Sequence, residues 1–518
     1  MSRDLYRLAL AVLHPGFEGT SAPDWLRRAL GEGLGGVVLF ARNAIGAPLV
    51  KELRAENPGV VVAIDEEGGT VTRLEVGGGS SFPGNRALGV VDDAGLTERV
   101  GRQIGRMLAE LDITLDYAPS ADVNANPANP VIGVRSFGPD PDLVARHTAA
   151  FVRGVQGAGV AACAKHFPGH GDTVTDSHLA LPTVHASREE LIARDLPPFR
   201  AAIEAGVRSV MTGHLLVPAL DADAPATLSR AALTELLRGE LDFDGMVVTD
   251  AIEMRAVAAM ASPGEIAVRA LNAGADAICI GVVDEDGLRE IRDAVVAAVR
   301  DGLLPEERLA EAAGRVRALS DWYAARPADR EAARADADPG AGLAAARAAL
   351  TVTGTARLDR APLVVEVNTR LSQAVDPDTP TGITAALAAL LPGTTKIRLE
   401  RDAPLPDLGH PAADGGGTGL ALPAPDGGGT DLALPAPDGG GTDPGRPAAD
   451  GGRPLVLVVH DAARHAWVRD VVDAAVAARP DAIVVDTGVP GPPVGAAHVA
   501  THGISRVSAQ AAAERLAR

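Results

Sequence analysis

Apolar residues in roughly the first 320 positions fall in short, nearly continuous runs: Leu8–Leu13, Gly36–Phe40, Val60–Ile64, Ile113–Tyr117, Val160–Ala164, Ser209–Met211, Met246–Val248 and Ala275–Ile280. Runs of this length, without polar alternation, are what strands buried on both faces look like, and such strands belong to parallel sheets covered by helices. The stretches between them read as helices. Ser187-Arg-Glu-Glu190 spells a capping box ahead of Leu191, and Ala267–Leu271 leads into Asn272-Ala-Gly274, a helix end closed by glycine. Eight strands alternating with helices predict an α/β fold, a (β/α)8 TIM-type barrel over residues 1–325.

The pattern then changes. Residues 326–348 are rich in Ala, Arg and Asp and read as a linker with helical character. Over 349–518, Leu363–Val367, Leu455–Val459 and Ala482–Val485 are strand-like, and Gly382–Leu391, Ala462–Ala478 and Ala509–Leu516 are helical, which predicts a smaller α/β layered domain. Residues 402–453 interrupt it with a twelve-residue repeat that begins at Asp414, Asp426 and Asp438. Glycine and proline at that density cannot fill a core, so a flexible insertion is expected. A calcium-binding β-roll would need a different period without the prolines.

Composition narrows the function classes. With 46% hydrophobic residues in 518, the chain can bury a large core. A net charge of -20 argues against nucleic acid or an anionic membrane as partner. Cys163 and Cys279 lie inside apolar runs, which predicts two buried thiols and fits a reducing, cytoplasmic setting. The apolar run at Leu8–Leu13 is cut off by His14-Pro15-Gly16, too short for a secretion signal, and nowhere do eighteen apolar residues run together to span a membrane.

The polar residues at the predicted strand ends carry the candidate chemistry, because a barrel gathers those ends on one face. Asp65 follows the third strand, Lys165 and His166 the fifth, His214 the sixth and Asp250 the seventh, with Arg73 and Arg135 on the third and fourth loops. The densest stretch is Lys165-His-Phe-Pro-Gly-His-Gly-Asp-Thr-Val-Thr-Asp-Ser-His178, where Pro168, Gly169 and Gly171 forbid regular structure and predict a loop. A metal site is one reading of its histidines, but the His166-x3-His170 spacing lacks the helix that zinc-protease spacing requires. A plain surface turn is another. Against it, only three of 48 basic residues are lysine, so the one at this strand end points to a need for a compact ammonium.

Taken with Ile64-Asp-Glu-Glu-Gly-Gly69, Asp116-Tyr-Ala-Pro119, Gly133-Val-Arg-Ser-Phe-Gly138, Met211-Thr-Gly-His214 and Val247-Val-Thr-Asp-Ala-Ile-Glu-Met254, this stretch resembles the family 3 glycoside hydrolases, in their bacterial β-N-acetylglucosaminidase branch. Gly503-Ile-Ser-Arg-Val-Ser508 resembles the second domain of the two-domain members. The resemblance implies a retaining exo-β-N-acetylglucosaminidase acting on cell-wall (muropeptide) or chitin-derived saccharides. It makes Asp250 the nucleophile, His178 the acid/base and Asp176 the residue that orients His178. It assigns Asp65, Arg73, Arg135, Lys165 and His166 to sugar binding, with His214 as a further pocket wall. No metal and no cofactor are implied, and the partner is a small saccharide. The chain departs from many relatives at Ala251, where a second Asp is frequent, and at Glu66, where Gln is common. The rival readings are a phosphorylase on the same scaffold, a β-glucosidase, and a non-catalytic sugar binder, which would need neither Asp250 nor His178.

Overall fold

The apolar runs resolve into parallel strands. A computed structural model describes residues 2–355, 357–369, 371–401, 403–408 and 452–518. The chain divides into two compact units: unit 1 holds Met1–Leu350, Leu371–Thr381 and Thr501–Ala511, and unit 2 the remainder.

In unit 1 the strands are β1 (Leu13–Pro15), β2 (Gly36–Leu39), β3 (Val61–Ile64), β4 (Leu115–Asp116), β5 (Ala161–Phe167), β6 (Ser209–Thr212), β7 (Met246–Thr249) and β8 (Ile278–Ile280). β2 to β7 form one parallel sheet in sequence order, while β1 pairs in parallel with β8 and a bridge at Val248–Ala277 joins β7 to the start of β8. Every residue of these strands is buried. Successive residues alternate between two apolar clusters: Val38, Val61, Ala63, Cys163, Met211 and Val248 face one way, Val37, Val62, Ile64, Ala162, Val210 and Val247 the other. A sheet covered on both faces in this way is curled, its inner face filled by side chains and its outer face by helices. Among the described residues no ladder joins β1 to β2, so the strands form a curled parallel sheet with a separate pair rather than one continuous eight-stranded ladder.

Two expectations are corrected. The run Leu8–Leu13 is mostly helix: Ser2–Ala11 is helical and β1 begins only at Leu13. Leu5, Ala9 and Leu10 are buried and Asp4 and Arg7 exposed, so the 3.6-residue period of an amphipathic helix governs there. The stretch 326–348 is not a spacer but the helix Pro327–Ala335 and most of the helix Ala341–Ala349, both packed into unit 1. Alanine is the best helix former, and Ala333, Ala345, Ala346 and Ala349 form buried faces. Arg330 caps the contact, donating to the Tyr323 carbonyl at 2.6 Å and lying over the Tyr323 ring.

Unit 2 is a six-stranded sheet made of β9 (Thr351–Gly354), β10 (Leu363–Val367), β11 (Thr395–Leu399), β12 (Leu455–Val459), β13 (Ile483–Asp486) and β14 (Ala497–Ala500). Their order is β11-β10-β12-β13-β14-β9, with only β9 antiparallel. The helix Ala466–Ala478 packs Val468, Val471, Val472 and Ala475 into a core with Val365, Leu457 and Val484. The repeat beginning at Asp414 lies outside the described residues. Among those that are described, both cysteines are buried thiols and no helix is long and apolar enough to cross a membrane.

Candidate active site

A cavity of about 570 Å³ opens in unit 1 at the C-terminal ends of its strands, and Asp65, Arg73, Arg135, Lys165, His166, His178 and Asp250 all line it. Asp65 is the first residue after β3 and Asp250 the first after β7. Lys165 and His166 are not on a loop as expected. β5 carries on through Phe167, with its register against β6 shifting between Ala164 and Phe167, and the loop begins at Pro168. The two side chains are therefore held by a buried strand, a more rigid support than a glycine-rich turn.

Three cations and two carboxylates line one side of the cavity. Lys165 Nζ lies 2.7 Å from Asp65 Oδ1 and 2.8 Å from Glu67 Oε1. Arg135 grips Glu67 with both arms, Nε to Oε2 at 3.0 Å and Nη2 to Oε1 at 2.7 Å. Arg73 Nη2 is 3.8 Å from Asp65 Oδ2 and donates to the carbonyl of Ala374 at 3.0 Å. Burial opposes charge on Glu67, yet Arg135 and Lys165 outweigh it and hold the carboxyl far below the usual range. Burial likewise opposes charge on Lys165, and Asp65 and Glu67 reverse it, so the ammonium persists at all ordinary pH. Glu67 is the functional residue that sequence reasoning passed over. The signal was present, since two cations at buried strand ends require a counter-charge and the Asp-Glu-Glu run is adjacent.

His166 is fixed from behind by Asp122, Nδ1 to Oδ2 at 2.8 Å, which leaves Nε2 available. The same carboxylate accepts the backbone N–H groups of His166 (3.2 Å) and His170 (2.7 Å), tying the end of β5 to the loop. The loop's glycines are obligatory. Gly169 sits at φ +137°, and a Cβ on Gly171 would lie 1.7 Å from the Val123 carbonyl oxygen.

Further along the loop, Asp176 Oδ1 accepts from the His178 backbone at 2.9 Å and meets His178 Nδ1 at 2.7 Å. Burial raises Asp176, and the hydrogen bonds from His178 more than offset this, leaving the carboxyl below its ordinary value. An ionised Asp176 fixes the proton of His178 on Nδ1 and leaves Nε2 to exchange a proton with a ligand. Asp250 accepts from the Ala251 N–H at 2.8 Å. Burial pushes its carboxyl up, and the imidazoles of His214, His166 and His178 outweigh that and hold it below the usual carboxylate range. A carboxylate held low in this way can act as a nucleophile.

His214 does not line the cavity. It is fully buried, Nδ1 bonded to Thr227 Oγ1 at 2.8 Å and Nε2 to the Ala251 carbonyl at 3.0 Å, so neither nitrogen is free for a ligand. Its place is behind Asp250, fixing the backbone of the next residue. Among the described residues, no group of three or more His, Cys, Asp or Glu is placed to hold a metal ion.

The profile of the glycosyl hydrolase family 3 N-terminal domain matches residues 31–319. β-Hexosaminidase A of Pseudoalteromonas piscicida is 37% identical over 270 residues, which are 47% of this chain and 45% of that protein, so the chain spans less than half the length of that relative. A β-hexosaminidase of Chromobacterium violaceum is 35% identical over 302 residues, 56% of this chain and 82% of that one. Among solved structures, a glycoside hydrolase family 3 β-N-acetylglucosaminidase from Paenibacillus sp. str. FPU-7 superposes with a TM-score of 0.80 at 32% identity, covering 99% of this chain and 96% of that one.

Proposed function

The chain belongs to glycosyl hydrolase family 3, and from that premise we propose that it is a retaining exo-β-N-acetylglucosaminidase releasing terminal N-acetylglucosamine from cell-wall (muropeptide) or chitin-derived saccharides in the cytoplasm. The observation that carries the reading is that Asp250 and His178, the latter held by Asp176, line one cavity beside the Asp65–Lys165–Glu67–Arg135 network. In the first step Asp250 attacks the anomeric carbon while His178, entering as the imidazolium with Nδ1–H on Asp176, donates its Nε2 proton to the departing oxygen, leaving a glycosyl ester of Asp250, the free alcohol and a neutral imidazole. In the second, His178 takes a proton from water, which attacks the same carbon and releases the sugar with its configuration retained. Asp65 accepts from sugar hydroxyls, and Lys165, Arg73, Arg135 and His166 surround the other ring substituents. None of these steps needs a cofactor. We take the curled sheet with its β1–β8 pair to act as one (β/α)8 barrel.

A phosphorylase would use the same residues, with phosphate in place of water. Its support is the imidazole itself, which once deprotonated is neutral and repels an incoming anion less than a carboxylate does. Initial rates on aryl N-acetyl-β-glucosaminide and aryl β-glucoside, each with and without phosphate, test both. Rapid, phosphate-independent release from the aminosugar alone is expected. Faster release with phosphate, giving the sugar 1-phosphate, establishes the phosphorylase, and preference for the glucoside overturns the substrate class.

A further inference from the structure

The loop that bears the acid/base has no helix or strand from Pro168 to Ala180, so no backbone ladder fixes where His178 sits. Short backbone turns shape it at Gly169 and at Leu179–Ala180, and side chains join those turns to one another; one of them, His170, is connected to more of the loop than any role in sugar binding requires. His170 is 1% exposed. Its Nδ1 meets Thr173 Oγ1 at 2.8 Å and its Nε2 meets Ser177 Oγ at 3.2 Å. Its backbone N–H is held by Asp122 at 2.7 Å, and its carbonyl accepts from Asn129 at 2.8 Å and from the Thr173 hydroxyl at 3.2 Å. With that hydroxyl donating to the carbonyl, Nδ1 carries the ring proton and Nε2 accepts from Ser177. Burial presses the His170 imidazole down to about 4, so the ring is neutral and the pattern holds throughout the working pH range.

Ser177 lies between the two members of the proposed dyad. Its hydroxyl is taken by His170 and its carbonyl accepts from the Ala256 N–H at 3.3 Å, so it is held on both sides. We propose that His170 is a positioning residue for the acid/base: through Ser177 it sets the place of Asp176 and His178 over the cavity, anchored in turn by Asp122, the carboxylate that also fixes His166. The inference rests on the reading of His178 as acid/base. One buried carboxylate then aligns a sugar-binding imidazole directly and the proton-transfer imidazole through His170 and Ser177.

A merely structural histidine and a positioning one are separated by leaving-group dependence. The test compares the wild-type chain, Ser177→Ala, His170→Gln and the double variant, by kcat/KM on N-acetyl-β-glucosaminides ranging from dinitrophenyl to chitobiose. The dinitrophenyl group departs without protonation and chitobiose does not, so misplacing His178 penalises only the latter. Each single variant is expected to lose roughly 10- to 100-fold on chitobiose and less than about threefold on the dinitrophenyl glycoside, that is, a steeper leaving-group slope. The double variant should be no worse than His170→Gln alone, because both act through one contact. Circular dichroism and melting temperature establish folding; if His170→Gln does not fold, Ser177→Ala decides alone. Equal losses on every leaving group, no loss at all, or additive losses in the double variant overturn the positioning role. A wild-type chain that cleaves none of these glycosides overturns the functional reading, and the inference falls with it.

Discussion

Replacing Glu66 by glutamine should stabilise unit 1, by an amount that grows with pH. Glu66 is wholly buried in the turn after β3, where Oε2 accepts from Thr72 Oγ1 at 3.0 Å, Arg73 N at 2.9 Å and Leu74 N at 3.1 Å, while Oε1 has no partner. Burial raises the carboxyl from its ordinary 4.5 to about 7, against the pull of those three hydrogen bonds and with Glu75 nearby adding to the rise. Asp116, whose Oδ1 accepts the Glu66 N–H, is buried beside it and raised as well. The sign follows from linkage. Below about pH 4.5 the group is protonated in both folded and unfolded chains and costs nothing; as pH climbs through 7 the folded chain must retain a proton or bury a charge, and stability is lost. At about 1.4 kcal/mol per unit, the penalty is under ~1 kcal/mol at pH 5 and roughly 3 kcal/mol at pH 8. Glutamine keeps an oxygen for the three donors and never ionises. Scanning calorimetry should therefore show a gain of on the order of 6 °C at pH 8, taking about 2 °C per kcal/mol, and only about 1–2 °C at pH 5. A gain equal at both pH values, or a loss at pH 8, would refute the reasoning.

Asp250→Ala should abolish turnover of every substrate, by several orders of magnitude, since no leaving group replaces the missing nucleophile. His178→Ala should retain most of its kcat/KM for the dinitrophenyl glycoside, show a burst followed by a slow steady state, and be accelerated by azide with formation of the β-glycosyl azide; a loss independent of leaving group removes His178 from the role. Glu67→Ala leaves Lys165 paired with Asp65 and takes from Arg135 the carboxylate it grips, and breaking a buried pair costs about 3–5 kcal/mol, so a lowered unfolding midpoint in urea is expected together with weakened sugar binding; an unchanged midpoint shows that the network does not stabilise unit 1. Exhaustive chelation should leave activity intact, and a loss restored by zinc would contradict the proposed chemistry.

Much of unit 1 could be read from the chain because parallel strands buried on both faces announce themselves as unbroken apolar runs, and seven of the eight expected strands lie where those runs are. The first failed because an amphipathic helix ends in an apolar run that resembles a strand when its polar residues, Asp4 and Arg7, are set aside. β9, β11 and β14 were missed for a related reason. β9 and β11 are mostly exposed strands at the sheet edges, and β14 carries His498, so none shows a continuous apolar run. At the site, strand-end position alone located Asp65, Lys165, His166 and Asp250, since topology delivers those ends to one place. It could not tell that His214 turns both nitrogens to the protein or that Glu67 lies between two cations. Those depend on which neighbour reaches which atom, and that is decided by packing between strands distant in sequence.

Unit 1 is written in three separate pieces of the chain, and this bears on how the protein is made. Gln373, Ala374, Val375, Asp376 and Pro377 line the cavity, Ala374 supplies the acceptor for Arg73, and the backbone N–H of Arg506 bonds the carbonyl of Ser80. Synthesis delivers the strand-end residues of the cavity early and these closing pieces late. A nascent chain released as far as Leu350 has Asp250 and His178 but not the segment that meets Arg73. Closure of the cavity on that side thus waits until translation has passed Pro377, and the order of events on the ribosome, rather than the order of strands in the sheet, sets when its lining is complete.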